Sequence, residues 1–155
     1  MRAVVGVISD THGLLRPEAV AALQGSDHIV HAGDVGRESI LHTLSRIAPV
    51  TVVRGNVDTD PWTQPIPMTD MVEIAGARLY VIHILEDLDI DPRTAEVAAV
   101  ITGHTHQPKI EHRDGVLFLN PGAAGARRFH YPVSVAKLLV EDGKVSAGII
   151  TLDVE

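Results

Sequence analysis

Cysteine is absent from the 155-residue chain, which excludes a disulfide framework, a thiolate metal site and a Cys nucleophile. Aromatic residues make up only 3% of it, too few to build stacking platforms for single-stranded nucleic acid. Basic residues are outnumbered, 13 Lys and Arg against 20 Asp and Glu for a net charge of -7, and no basic run occurs. Because a sequence-independent grip on nucleic acid rests on neutralising phosphates, strong nucleic-acid binding is not expected. No apolar stretch reaches membrane-spanning length, and the N-terminal apolar run meets Ser9-Asp10-Thr11-His12 too soon for a signal peptide. No membrane association is therefore expected, and the expected address is cytoplasmic.

What is present is a chain 45% apolar. That is enough for a single domain over residues 1–155 with a real core, so a metal would be functional rather than a structural staple. Ala3–Ser9 reads as a strand buried on both faces. Pro17–Gln24 reads as a helix with Pro in its first turn and Gly25 as its stop. His28–Ala32 and Val50–Val53 read as further strands, with a helix between them whose apolar stripe is Ile40, Leu41, Leu44 and Ile47. Strand alternating with helix argues for a parallel sheet flanked by helices. The second half changes character. Runs at 71–74 and 78–82, 109–112 and 116–120, and 133–140 and 144–152 flank short turns, two of them Asp-Gly, the mark of hairpins. Val97–Thr102 is one more apolar run, and Asp58–Thr69, with three prolines, reads as the one long loop. A sheet begun parallel and finished with antiparallel hairpins predicts an α/β sandwich.

The polar residues that follow the strands carry the chemistry. Three strands end in an apolar run, a glycine and a metal-ligand type: Gly33-Asp34, Gly55-Asn56 and Gly103-His104. The first strand ends as sharply at Asp10-Thr11-His12. In parallel α/β sheets ligands bind outside the carboxyl ends of the strands, so loops distant in sequence are expected to converge there. Asp10 and His12 are two residues apart, as are His104 and His106, so in extended backbone each pair would project to one side. Carboxylate, imidazole and amide oxygen suit Mn, Fe, Zn, Ni or Co, and the two oxygens of Asp34 could bridge two ions. His83 closes another apolar run, whereas His28, His31, His42, His112 and His130 read as structural or surface residues. Arg127 and Arg128 read either as two solvated loop arginines or, through their planar forks of donors, as contacts for an anionic substrate group.

In order along the chain, Asp10-Thr11-His12, Gly33-Asp34, Gly55-Asn56-Val57-Asp58, His83 and Gly103-His104-Thr105-His106 resemble the blocks of the calcineurin-like metallophosphoesterase superfamily. The short length and the Asn120-Pro121-Gly122 turn are similar to its small single-domain, YfcE-type phosphodiesterase branch. The resemblance implies an α/β/β/α sandwich with mixed parallel and antiparallel sheets, holding two divalent ions, Mn first among the candidates. It implies that Asp10, His12, Asp34 and His106 hold one ion and Asp34, Asn56, His83 and His104 the other. Asp58 would orient a ligand imidazole. Asp34, Asn56, Asp58 and His104 would be the catalytic set, with Asn56 also a substrate contact. A hydroxide bridging the ions would attack a small phosphate diester. Phosphomonoester hydrolysis is the nearest alternative, and a non-catalytic scaffold like the retromer subunit Vps29 the more distant one; a homo-oligomer is compatible with either. Two positions depart from the superfamily pattern. Val57 stands where a His often assists the leaving group, and Ile84 where a Gly often follows the fourth-block His.

Overall fold

The computed structural model describes residues 1–154. Its strands are β1 (Arg2–Ile8), β2 (His28–His31), β3 (Val50–Val52), β4 (Thr69–Ile74), β5 (Ala77–Ile82), β6 (Val97–Ile101), β7 (Lys109–Arg113), β8 (Val116–Asn120), β9 (Ser134–Glu141) and β10 (Lys144–Thr151). Two helices, α1 (Pro17–Leu23) and α2 (Glu38–Ser45), lie in the first third. The strands form two five-stranded sheets, ordered β10-β9-β1-β2-β3 and β4-β5-β6-β8-β7. In the first, β1, β2 and β3 run parallel and the β9–β10 hairpin is antiparallel to them. In the second, β5, β6 and β8 are parallel, with β4 and β7 added antiparallel at the two edges.

Strand composition explains this layering. Val5 and Val7 of β1 enter a core shared with Leu79 and Val81 of β5 and Leu138 of β9, so the two sheets pack face to face. Ile8, on the opposite face of β1, packs in a second cluster with Leu23 of α1 and Leu44 of α2. A central strand covered on both sides has no polar face, which is why its sequence lacks alternation. Edge strand β10 does alternate, and edge strand β7 is mostly exposed and carries Lys109, Glu111 and Arg113, charges that discourage pairing with another chain.

The expected α/β architecture with two mixed sheets is observed, and its fourth layer is thin. The outer face of the second sheet, Tyr80, Ile82, Val100 and Val116, is covered by Leu85, Leu88 and Ile90 from a loop holding a single 3₁₀ turn, Leu85–Asp87. The loop expected at 58–69 contains another 3₁₀ turn, Pro61–Thr63. The three hairpin turns fall where expected. Asp114-Gly115, Asp142-Gly143 and Ala75-Gly76 all have positive φ at both positions, the geometry of type I′ turns. No helix among the described residues is long and apolar enough to cross a membrane.

Gly6 sets how closely α1 approaches β1. A Cβ there would stand 2.7 Å from Ser26 Oγ and 2.8 Å from Leu23 Cδ2. Gly6→Ala is expected to cost about 1–3 kcal/mol, read as a lower urea midpoint. An unchanged midpoint would mean that the helix end relaxes freely.

Candidate metal centre

The carboxyl ends of β1, β2 and β3 in one sheet and of β5, β6 and β8 in the other meet along one rim, and the loops after them are tied by backbone bonds. Asp10, His12 and Gly13 donate in turn to the carbonyls of Gly33, Asp34 and Val35 at 2.9–3.0 Å, zipping the loop after β1 to the loop after β2. Gly103 N donates to His83 O, and Ala124 N to Ser9 O, each at 3.0 Å. Two clusters of side chains result, Asp10 with His12 and His106, and Asp34 with His83 and His104, the ligand-type atoms within each lying inside 4.8 Å of one another.

Two buried carboxylates sit at the centre. Asp10 Oδ1 faces three imidazole nitrogens, His106 Nε2 at 3.4 Å, His12 Nε2 at 3.5 Å and His83 Nε2 at 3.9 Å. Asp10 Oδ2 accepts from Ser9 Oγ at 2.7 Å and from the His104 backbone N–H at 3.0 Å. Asp34 Oδ2 lies 3.1 Å from His83 Nε2 and 3.6 Å from His12 Nε2, so it faces both clusters. Its Oδ1 accepts from Val57 N–H at 3.0 Å. Asn56 stands at the exposed rim with its Oδ1 3.1 Å from His104 Nδ1. The structure thus brings together all seven expected ligand residues.

The close pairs do not converge by the extended-backbone route expected from their spacing. Asp10, His12, Asp34, His104 and His106 all have φ between 47° and 73°, in the left-handed region that non-glycine residues enter at a cost. In the loops after β1, β2 and β6 the left-handed residues are themselves the ligand candidates, so the tight turn of the chain sets their own side chains at the rim. Gly55 and Gly103 have a different role, close approach. A Cβ on Gly55 would collide with Asp34 Oδ1 and the Asp34 backbone nitrogen, and one on Gly103 with Ser9 Oγ.

Burial pushes the Asp10 carboxyl upward, yet its interactions with His106 and His12, the charge on His83 and the Ser9 hydroxyl together hold it well below the carboxylate range. Asp34 is raised by burial and lowered more strongly by His83 and the Val57 N–H, ending below its ordinary value. His83 is lowered by burial and raised more strongly by Asp34 and Asp10, ending above it. The rim is therefore an anionic, imidazole-lined cup in which a proton on His83 stands where a cation would compete for the same lone pair.

The donor set fits divalent cations on a second ground. Asp10 Oδ1, His12 Nε2, His83 Nε2 and His106 Nδ1 are buried without a hydrogen-bond partner, four of the five such side-chain atoms among the described residues. Buried polar atoms are nearly always satisfied, so a cluster of unsatisfied ones calls for a ligand. His83 is prepared for that role. Its Nδ1 donates to Ala32 O at 2.6 Å, which leaves Nε2 as the lone-pair nitrogen facing Asp34.

Three expected roles are not met. Asp58 makes no hydrogen bond to an imidazole. Its carboxylate accepts from the backbone N–H groups of Val35 (3.0 and 3.2 Å), Gly36 (3.3 Å) and Gly55 (2.9 Å), clamping the loop after β2 to the loop after β3. A carboxylate near backbone donors takes them in preference to a more distant ring. Arg127 and Arg128 are exposed and touch none of the ligand side chains; Arg127 donates instead to Val154 O at 3.3 Å.

Two residues outside the ligand set support the rim, His31 in the structural rather than the surface role, and Asn120. His31 is fully buried beneath the rim. Gly33 N–H donates to its Nδ1 at 3.1 Å, so its Nε2 carries the proton and donates to Thr11 Oγ1 at 3.0 Å, which itself donates to Val35 O at 2.7 Å. Asn120 Nδ2 donates to Gly103 O (3.0 Å) and Thr105 Oγ1 (3.1 Å), holding the His104–His106 loop. A histidine three residues before Asp34, inside an otherwise apolar strand, is the signal that could have marked His31.

Burial holds His31 down at about 4. It stays neutral in the folded chain while the unfolded chain takes up a proton near pH 6.5. Its contribution to stability is therefore complete above pH 6.5 and lost as pH falls towards 4, about 3 kcal/mol in all. His31→Gln is expected to show a correspondingly shallower fall in urea midpoint over that interval than the parent; equal slopes would remove the buried neutral imidazole. Gly55→Ala is expected to weaken divalent metal binding at least ~10-fold by calorimetry, because it displaces the Asp34 carboxylate.

The description calcineurin-like phosphoesterase superfamily domain belongs to the family model that matches residues 3–143. A probable metallophosphoesterase of Methanothermobacter thermautotrophicus is 36% identical over 163 residues, covering 95% of this chain and 91% of the relative. Among solved structures, an archaeal phosphodiesterase superposes with a TM-score of 0.77 at 22% identity, covering 95% of this chain and 99% of its own. Wild-type Vps29 from Entamoeba histolytica, complexed with zinc, superposes with a TM-score of 0.76 at 23% identity, covering 96% and 98%. At those identities the two structures speak for the fold alone. With the family match spanning residues 3–143 and the Methanothermobacter relative 36% identical across 95% of the sequence, this chain belongs to the calcineurin-like phosphoesterase superfamily.

Proposed function

We propose that the chain is a phosphodiesterase that hydrolyses small phosphate diesters at two divalent cations. The carrying observation is the pair of ligand clusters with Asp34 facing both, together with buried donor atoms that lack partners. Asp10, His12, Asp34 and His106 would hold one cation, and Asp34, Asn56, His83 and His104 the other, with Mn first among Mn, Fe, Zn, Ni and Co. When bound, two such ions supply Lewis acidity towards phosphoryl oxygens and water activated as a nucleophile near neutral pH.

The chain's own residues do the rest. Asp10 and Asp34 compensate cation charge from buried positions, so little of it is screened by water. The Ala32 carbonyl fixes the His83 tautomer, and Asp58 locks the loops that carry Asp34 and Asn56. Asn56 and His104 are at the exposed rim, where substrate would enter. Val57, half exposed beside them, cannot donate a proton. Alcohols that leave poorly without protonation are therefore expected to react slowly. A cavity opening beside Asn56 and His83 gives an ester substituent a place to lie. The archaeal neighbour described as a phosphodiesterase is in line with the phosphodiesterase reading.

The scaffold reading draws on the Vps29 likeness and on Val57. Metal analysis and turnover separate the two. The Mn-loaded protein is expected to hold two ions per chain and to cleave bis(p-nitrophenyl) phosphate faster than p-nitrophenyl phosphate. Asp34→Asn should retain at most one ion and lose at least ~100-fold in rate. A metal-loaded protein inert towards both esters would leave the scaffold standing, and faster monoester cleavage would reverse the diester preference.

A further inference from the structure

Thr11 and His31 are fully buried polar residues that belong to neither ligand cluster, yet the bonds they make end on the neighbours of three ligand candidates. Thr11 stands between Asp10 and His12, and the far ends of its bonds, Gly33 and Val35, flank Asp34. Asp10, His12 and Gly13 reach the loop after β2 through backbone N–H groups. Thr11 reaches the same loop through its side chain. Gly33 N–H donates to His31 Nδ1 at 3.1 Å, His31 Nε2 lies 3.0 Å from Thr11 Oγ1, and Thr11 Oγ1 donates to Val35 O at 2.7 Å. Three hydrogen bonds in series thus leave the loop after β2 on one side of Asp34, cross the loop after β1 between its two ligands, and return on the other side.

The direction of this relay is fixed at both ends by the backbone. A peptide N–H only donates and a carbonyl only accepts. Gly33 N–H therefore requires a lone pair on Nδ1, which puts the ring proton on Nε2, and Val35 O requires the Thr11 hydroxyl proton, which leaves the Oγ1 lone pair for Nε2–H. No member can reverse its bond without orphaning a buried polar atom. Turning the imidazole over would set carbon where nitrogen is needed. A fully satisfied buried network of this kind holds its members to one geometry.

That geometry matters because the ligands of the first cluster come from both loops. His12 Nε2 lies 3.5 Å from Asp10 Oδ1 on its own loop and 3.6 Å from Asp34 Oδ2 on the other. Metal–ligand distances tolerate deviations of only about 0.2 Å, so the second spacing has to be held from outside the ligand set. We propose that Thr11 and His31 are positioning residues, and that their relay sets the reach of Asp34 towards the cation held by Asp10, His12 and His106. The proposal rests on the metal-dependent reading above and adds to it the residues that tune cation affinity.

Two measurements test it without turnover. In the metal-free protein at neutral pH, nitrogen NMR of the imidazoles is expected to show His31 as the Nε2–H tautomer; an Nδ1–H tautomer would overturn the relay. The second measurement is calorimetric titration of the metal-free protein with Mn²⁺. Thr11→Val keeps the side-chain shape, removes the hydroxyl and strands the His31 Nε2–H, and it is expected to weaken Mn²⁺ binding at least ~10-fold, whereas Thr11→Ser, which restores the hydroxyl, should bind within ~3-fold of the parent. Because the two residues act as one unit, Thr11→Val with His31→Gln should lose less affinity than the product of the two single losses. Parent-like binding by Thr11→Val, a Thr11→Ser variant as weak as Thr11→Val, or fully multiplicative losses would each overturn the positioning role while leaving the phosphoesterase reading intact. A parent that binds no Mn²⁺ would remove both together.

Discussion

Two carboxylates, Asp10 and Asp34, are held almost out of water within reach of the same histidines. Burying one charge is costly unless it is paired, and burying two like charges side by side is more so. Everything along the rim follows from meeting that cost. Imidazoles converge on the carboxylates, Ser9 and the backbone N–H groups of His104 and Val57 donate to their remaining oxygens, and four of the five buried atoms still unsatisfied among the described residues belong to the ligand candidates. Metal affinity and the instability of the bare site are two aspects of one electrostatic arrangement.

Such a site needs a frame stiff enough to keep like charges together. The frame here is the face-to-face packing of two sheets whose parallel strands all end at one rim. Support below the rim is of a second kind, polar and local. His31, Thr11, Asn120 and Asp58 join one loop to another, and none of them offers an atom to the clusters. This division explains why five ligand residues can persist in left-handed backbone conformations. Each costs on the order of 1–3 kcal/mol, and the surrounding bonds over-determine their positions.

Much of this was legible in the sequence for identifiable reasons. Hairpins announced themselves because Asp-Gly pairs tolerate the positive φ that type I′ turns demand. The ligand residues stood out because polar metal-ligand types directly after buried strands have little other purpose. Their common location followed from the rule for parallel strand ends. What failed concerned the reach of individual side chains. Asp58 was expected beside an imidazole and instead took nearer backbone donors, and Arg127 and Arg128 were expected at the phosphate and lie outside.

Local and periodic properties of the chain settled which segments become strands, which faces are buried and which residue types can hold a metal. These depend on neighbours a few positions apart, so they survive translation into one dimension. The left-handed route by which paired ligands converge, the redirected carboxylate of Asp58 and the cavity beside Asn56 and His83 came only with the packed fold. Each depends on distances of 3–4 Å between side chains dozens of residues apart, and such distances are set by how two sheets stack and their loops interlock.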